Sequence, residues 1–178
     1  MEYLVVYTSI TGNTEKIAME IFETLPGKSK DIQRVEEVEH DEADLYFVGF
    51  WNNRGTCSSE IMDFLGTLHG KQIALFGTCG MGQDSEYYKR TANQVAAFIP
   101  DDSIYLGSFL CPGKMPPQVL EKYRRMQRIS DTPQMRKMIK NYEEAMLHPD
   151  HEDLMNAKKF ANEILQKKGS YEYGNTRG

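Results

Sequence analysis

Apolar residues along this chain alternate between two spacings, and the alternation predicts a β-α series. Tyr3 to Tyr7 is a β-branched and aromatic run of strand length; Ile17, Ala18, Ile21, Phe22 and Leu25 then recur at helical spacing until Pro26-Gly27. A weaker strand is expected at Ile32 to Val35. Leu45 to Phe50 is a continuous apolar run, the pattern of a strand covered on both faces of a parallel sheet. Ile61, Phe64, Leu65 and Leu68 predict a helix ending at Gly70, and Ile73 to Gly77 another buried strand. A cap at Asp84 or Ser85 opens a helix carrying Tyr88, Ala92, Val95, Ala96 and Ile99, which Pro100 closes; Ile104 to Leu110 supplies a fifth strand. Right-handed crossovers place the helices on both faces, so the series predicts a doubly wound parallel α/β sheet. Ligands then bind at the carboxyl ends of the strands.

The pattern changes after Pro112. Val119, Leu120, Tyr123 and Met126 mark one helix and Met135, Met138, Ile139 and Tyr142 another, parted near Asp131-Thr132-Pro133. This predicts a helical hairpin inserted at 112–147. A last helix, capped near Asp150, carries Leu154, Ala157, Phe160, Ala161, Ile164 and Leu165 at core spacing. The expected organisation is one domain over 1–168 and a disordered tail over 169–178.

Composition narrows the function classes. At 178 residues and 40% hydrophobic content the chain suits a single domain with a real core, and no apolar run is long enough to cross a bilayer. The start, MEYLVVYTSI, lacks a basic region and a cleavage site, so a cytoplasmic protein without membrane partners is expected. Cys57, Cys79 and Cys111 are odd in number and widely spaced, as reduced thiols are, with no metal-ligand spacing among them. The net charge of −5 and the acidic run Glu36, Glu37, Glu39, Asp41, Glu42 and Asp44 disfavour nucleic acid. That run is a solvated face or a site for a basic protein.

The loop TSITGNT, Thr8 to Thr14, joins the first strand to the first helix. Free backbone N–H groups and the positive end of a helix dipole meet there, which suits a phosphate. The lysine and second glycine of a Walker loop are absent, as are a Rossmann GxGxxG, a phosphatase cysteine and the acidic residues of a receiver domain. What remains is a hydroxyl-lined cradle for a phosphate that is held and not transferred. The run VVYTSITGNTEKIAMEI, Val5 to Ile21, resembles the FMN phosphate-loop signature of the flavodoxin family. The resemblance implies that Ser9, Thr11, Gly12, Asn13 and Thr14, with Thr8 and Ile10 in the same loop, surround the FMN phosphate. It also implies the flavodoxin-like sheet order 2-1-3-4-5. GFWNNRGT at 49–56, ALFGTCG at 74–80 and GSFLCPGK at 107–114 are similar to a subfamily with a GFW loop after the third strand.

With the phosphate so placed, the resemblance puts the isoalloxazine ring over Trp51 to Thr56 and Thr78 to Gln83. The ring-side candidates are Trp51, Asn52, Asn53, Arg54 and Gly55 from one loop, and Thr78, Cys79, Gly80 and Met81 from the other. Trp51 either stacks on the ring or plugs the edge of the core; Asn53 stands where the family usually has its aromatic residue. Met81 or Cys79 faces the ring from the second loop. Gly55 and Gly80 can turn a carbonyl toward flavin N5–H at little steric cost. Arg54 is either a solvated loop residue or a cation that raises the potential of the reduced flavin. The three cysteines are expected just beyond strands three, four and five, as small residues lining a tight site, with His40, His69, His148 and His151 elsewhere.

The implied function is an FMN-binding electron-transfer protein that shuttles electrons between a reductase and an accepting enzyme, as a monomer or weak homodimer. It uses no catalytic side chain and no metal. The hairpin, rich in methionine, is expected to form a cap near the flavin edge. Two alternatives stand beside this: an NAD(P)H-dependent FMN reductase of quinones or another organic acceptor, and a flavin-free interaction module.

Overall fold

The computed structural model describes residues 1–39, 42–80 and 85–175, with side chains described through Gly169. Five strands, β1 (Tyr3–Tyr7), β2 (Lys30–Arg34), β3 (Leu45–Trp51), β4 (Gln72–Cys79) and β5 (Ile104–Pro112), form one parallel sheet of order β2-β1-β3-β4-β5. The helices α1 (Asn13–Thr24), α2 (Ser59–Thr67), α3 (Ser85–Ala96) and α6 (His151–Asn175) cover it, and α4 (Pro117–Ile129) and α5 (Pro133–Ala145) form the inserted hairpin. This is the doubly wound order that the sequence implied.

Strand alternation divides the core in two. Tyr3, Val5, Tyr7, Phe47 and Phe76 point to one side, where Ile17, Ala18 and Ile21 of α1 and Ala157, Phe160 and Ile164 of α6 pack on them. Leu4, Val6, Val48, Phe50 and Leu75 point to the other and meet Ile61, Leu65 and Val95 of α2 and α3. The central strands are buried on both faces, which is why β1 and β3 read as unbroken apolar runs.

Several boundaries differ from the sequence pattern. β2 starts at Lys30 and ends at Arg34, because Val35 opens a short 3-10 turn, Val35–Glu37. β5 carries an irregularity where Tyr105 pairs with Ile73 but Gly107 with Ala74; Lys167 of α6 donates to the displaced Leu106 carbonyl at 2.8 Å. α6 runs to Asn175, so the tail expected from Gly169 is helical over that stretch: Gly169 and Gly174 weaken a helix but do not end it. Asp84, one of the two caps proposed for α3, lies outside the described residues. Among the described residues no helix is long and apolar enough to cross a membrane.

Candidate functional site

The chain leaves β1 through Thr8, whose amide donates to the Gly49 carbonyl of β3 at 3.1 Å. Gly12 then takes φ 80° and ψ 0° immediately before α1. An L side chain in that left-handed region costs about 1–2 kcal/mol, so glycine suits the position. No side chain caps α1, which leaves first-turn N–H groups for an incoming acceptor at the positive end of the helix. Ser9 Oγ is shut off from solvent and has no hydrogen-bond partner. An uncapped helix start beside an orphaned hydroxyl is what a phosphate would satisfy.

Two loop side chains are already engaged. Asn13 Nδ2 donates to Thr11 Oγ1 and to the Lys114 carbonyl, both at 2.8 Å. It lies so near Gly113 that a Cβ there would stand 2.8 Å from it. Thr14 Oγ1 and Thr78 Oγ1 share a buried hydrogen bond of 2.9 Å. The resemblance assigns Asn13 and Thr14 to the phosphate, whereas in this structure their side chains brace the loop against the ends of β5 and β4. From outside, Arg34 donates to the Ser9 carbonyl at 3.4 Å, pairs with Glu15 at 3.5 Å, and lies 5.4 Å from the Tyr7 ring centre. Tyr7 donates to Glu15 at 2.8 Å; burial first, and then Glu15, pushes its phenol up to about 12.

Beside the loop, at the carboxyl ends of β1, β3, β4 and β5, lies a cavity of about 390 Å³. Of the residues proposed from the sequence, Ile10, Thr11, Asn13, Thr14, Trp51, Asn52, Asn53, Arg54, Thr78, Cys79 and Gly80 line it. Thr8, Ser9, Gly12 and Gly55 do not line it. Met81 lies outside the described residues. Trp51 ends β3, half-buried, and forms part of the cavity wall.

The loop after β3 reverses over two residues at positive φ, Arg54 at 54° and Gly55 at 94°. Asn53 and Thr56 exchange backbone hydrogen bonds of 2.8 and 3.2 Å across the turn. Asn52 holds it: its Oδ1 accepts from Gly55 N at 2.8 Å and its Nδ2 donates to Tyr87 Oη at 2.7 Å. Arg54 is exposed on the cavity wall.

The sequence reading expected a cap from the 112–147 hairpin but named no site residue among those that line the cavity from it. Gly113, Lys114, Met115 and Pro116 follow β5 into the cavity, Val119 and Tyr123 come down from α4, and Tyr87 comes from α3. A Cβ on Gly80 would stand 2.2 Å from Met115 Cγ, so the bare face of Gly80 admits the roof. A signal existed: CPGKMPP directly follows a strand whose carboxyl end must face the crevice.

The cysteines need correction. Cys79 is the last residue of β4 and Cys111 lies within β5, where strand pairing continues past the expected ends; only Cys57 sits in a loop. All three are buried, and only Cys79 lines the cavity. Burial pushes the Cys57 thiol up to about 11 and Cys79 to about 12, and raises Cys111 well above its ordinary value. Nor is His148 remote, since it lines a second cleft together with Cys111, Asp150 and Asp153. Its Nδ1 lies 2.6 Å from Asp153 Oδ2. Both carboxylates there cap α6, Asp150 Oδ1 accepting from Asp153 N at 3.0 Å and Asp153 Oδ2 from Asp150 N at 2.8 Å.

Comparison with known proteins places the chain. The flavodoxin domain matches residues 4–162. The flavodoxin-like domain-containing protein BilS of Clostridioides difficile (strain CD3) is 35% identical over 173 residues, covering 94% of this chain and 98% of that protein. BilS of Clostridium symbiosum (strain WAL-14163) is 34% identical over 180 residues, covering 86% and 90%. Among solved structures, the Streptococcus pneumoniae TIGR4 flavodoxin matches with a TM-score of 0.58 at 21% identity, over 94% of this chain and 99% of that one. With the domain match running from β1 into α6 and homologues aligned almost end to end, the chain belongs to the flavodoxin family.

Proposed function

We propose that this protein holds FMN in the cavity and passes electrons between a reductase and an accepting enzyme. One observation carries this: an uncapped first turn and a buried, unpartnered Ser9 hydroxyl adjoin an aromatic-walled cavity of about 390 Å³. The first-turn N–H groups, Ser9 Oγ and Thr11 Oγ1 would hold the phosphate. Trp51, Met115, Val119 and Tyr123 would enclose the ring and exclude water from it. FMN, when bound, supplies the capacity to take up and return one or two electrons. The chain's part is to bind and orient it and to set the charge around it. Cys79, the cavity's only cysteine among the described residues, is held protonated at neutral pH and so offers no thiolate chemistry.

The roof favours a second possibility, an NAD(P)H-dependent FMN reductase of quinones or another organic acceptor, because α4 covers space beside the ring-side loops. Titration of FMN with fluorescence quenching tests the common basis: one equivalent should bind at micromolar concentration or tighter, and no uptake would reject both. Stepwise photoreduction with and without NADH then separates them. A carrier leaves NADH unoxidised, whereas the reductase is bleached by NADH alone.

A further inference from the structure

Charge is distributed unevenly over this acidic chain. Residues 114–140 hold eight of its 21 lysines and arginines but two of its 26 acidic residues, so they carry +6 where the remainder carries −11. That segment begins in the roof of the cavity, which Lys114, Met115, Pro116, Val119 and Tyr123 line. Lys122, Arg124, Arg125 and Arg128 on α4 and Lys137 on α5 are exposed. Among the described residues, the ion pairs in the segment are Arg136–Asp131 at 2.6 Å and Lys140–Glu144 at 3.6 Å, which leaves those five without a carboxylate. The same α4 places Val119 and Tyr123 on the cavity wall, where Lys114 and Arg54 add two more cations. Arg90 stands 6.0 Å from the ring centre of Tyr87, which also lines the cavity.

We propose that this cationic roof is the docking face for an acidic protein that exchanges electrons with the cavity's occupant, an inference that rests on the proposed function. A small anion is held by cations that converge on one point. These are spread along a helix of about 20 Å and onto its neighbour, which matches an extended surface bearing Asp and Glu. The −11 carried by the rest of the chain works against a nucleic acid. This polarity reverses the basic partner that the acidic run suggested: Glu42 and Asp44 lead into the amino end of β3, at the far end of the sheet from the cavity, and Glu36 and Glu37 follow β2, the edge strand opposite the β5 strand that leads into the roof.

Two arms test the face, each with wild type, an Arg124→Glu/Arg125→Glu/Arg128→Glu variant, and a milder variant with Gln at the same positions. In the first, dye-labelled oligoglutamate, oligolysine and a short RNA are titrated by anisotropy at about 20 and about 200 mM salt. In the second, the photoreduced, FMN-loaded protein reduces an acidic and a basic cytochrome of similar potential. Oligoglutamate should bind wild type at least about tenfold more tightly than the Glu variant, with Gln between them. The acidic cytochrome should be reduced at least about tenfold faster at low than at high salt, an advantage that the Glu variant loses. A Glu42→Lys/Asp44→Lys variant, at the amino end of β3, should change neither result. Equal rates for the two cytochromes, or an unaffected Glu variant, overturn the proposal; RNA that binds more tightly than oligoglutamate at the higher salt reassigns the face. Should the protein not take up FMN, the proposed function fails on its own, and the peptide arm still judges the surface.

Discussion

Replacing Ser9 with alanine should move stability in opposite directions with and without FMN. Ser9 Oγ is fully buried and has no partner, a state that costs about 1–3 kcal/mol. Removing it should therefore stabilise the FMN-free protein by about 1 kcal/mol, or about 2–4 °C in melting temperature for a chain of this size. In the loaded protein the same hydroxyl would donate to a charged phosphate oxygen, a bond whose loss should cost about 1.5–3 kcal/mol and weaken binding about 10- to 150-fold.

Linkage then makes the two melting curves cross. At FMN equal to about 100 times the wild-type Kd, wild type gains about 2.7 kcal/mol; a variant binding 10- to 100-fold more weakly gains about 1.4 to 0.4. Ser9→Ala should thus melt above wild type without FMN and below it with FMN. The assay is thermal unfolding by circular dichroism beside a fluorescence titration, with riboflavin as the control. Riboflavin lacks the phosphate, so both proteins should bind it equally. A lower melting temperature without ligand, or a riboflavin defect as large as the FMN defect, would refute the placement of the phosphate at Ser9.

Other consequences follow from the same geometry. Arg54→Ala should lower the potential of the second reduction step by tens of mV, because a cation on the cavity wall favours the anionic reduced ring; an unchanged redox titration dismisses that role. Gly80→Ala forces a Cβ to within 2.2 Å of Met115 Cγ and should cost about 1–3 kcal/mol in urea unfolding, with part recovered by adding Met115→Ala; a neutral single variant contradicts the contact. Cys79, its thiol near 12, should resist iodoacetamide at pH 8 in the folded protein and react in urea, and labelling of the native protein within minutes would disprove its inertness. Tyr7 is held near 12 against 10 when unfolded, so its neutral form supports the fold fully below pH 10. That contribution, about 2–3 kcal/mol, is lost as pH rises from 10 to 12, and Tyr7→Phe should flatten the alkaline fall in stability.

What was legible in the sequence follows from how local each signal is. The order of strands and helices could be read because Val5, Phe47 and Leu75 lie in apolar runs that only a doubly covered strand needs, and because Pro26, Gly70 and Pro100 follow within a few residues of the helix ends at Thr24, Thr67 and Ala96. The first loop could be read because its glycine and hydroxyls are consecutive. A cap over 112–147 could be expected, but its contacts could not: Asn13 meets the Lys114 carbonyl across 101 residues, and no spacing announces such a bond. Arg34 behind Ser9, and His148 beside Cys111, were missed for the same reason. Asn13 and Thr14 show the opposite limit: the motif places them in a loop at the cavity but does not announce the Lys114 carbonyl and the Thr78 hydroxyl that their side chains bond.

The inserted hairpin is attached in a way that sets how its two helices can behave. Lys114 N donates to the His148 carbonyl at 3.2 Å, so the segment's two ends are pinned together at its base, next to the capping pair of α6. Asn13 Nδ2 donates to the carbonyl of that same Lys114 at 2.8 Å, which joins the loop after β1 to this base. α5 is anchored: it buries Met135, Tyr142 and Ala145, and Tyr142 Oη donates to the Met115 carbonyl at 3.3 Å. α4 buries no residue, and its apolar face, Val119 and Tyr123, looks into the cavity. Each 100 Å² of apolar surface covered there contributes about 2.5 kcal/mol. A flat aromatic ring in the cavity would therefore add to the packing that α4 has on α5, and a base pinned to the loop after β1 would tie the position of that helix to the loop proposed to hold the same ligand.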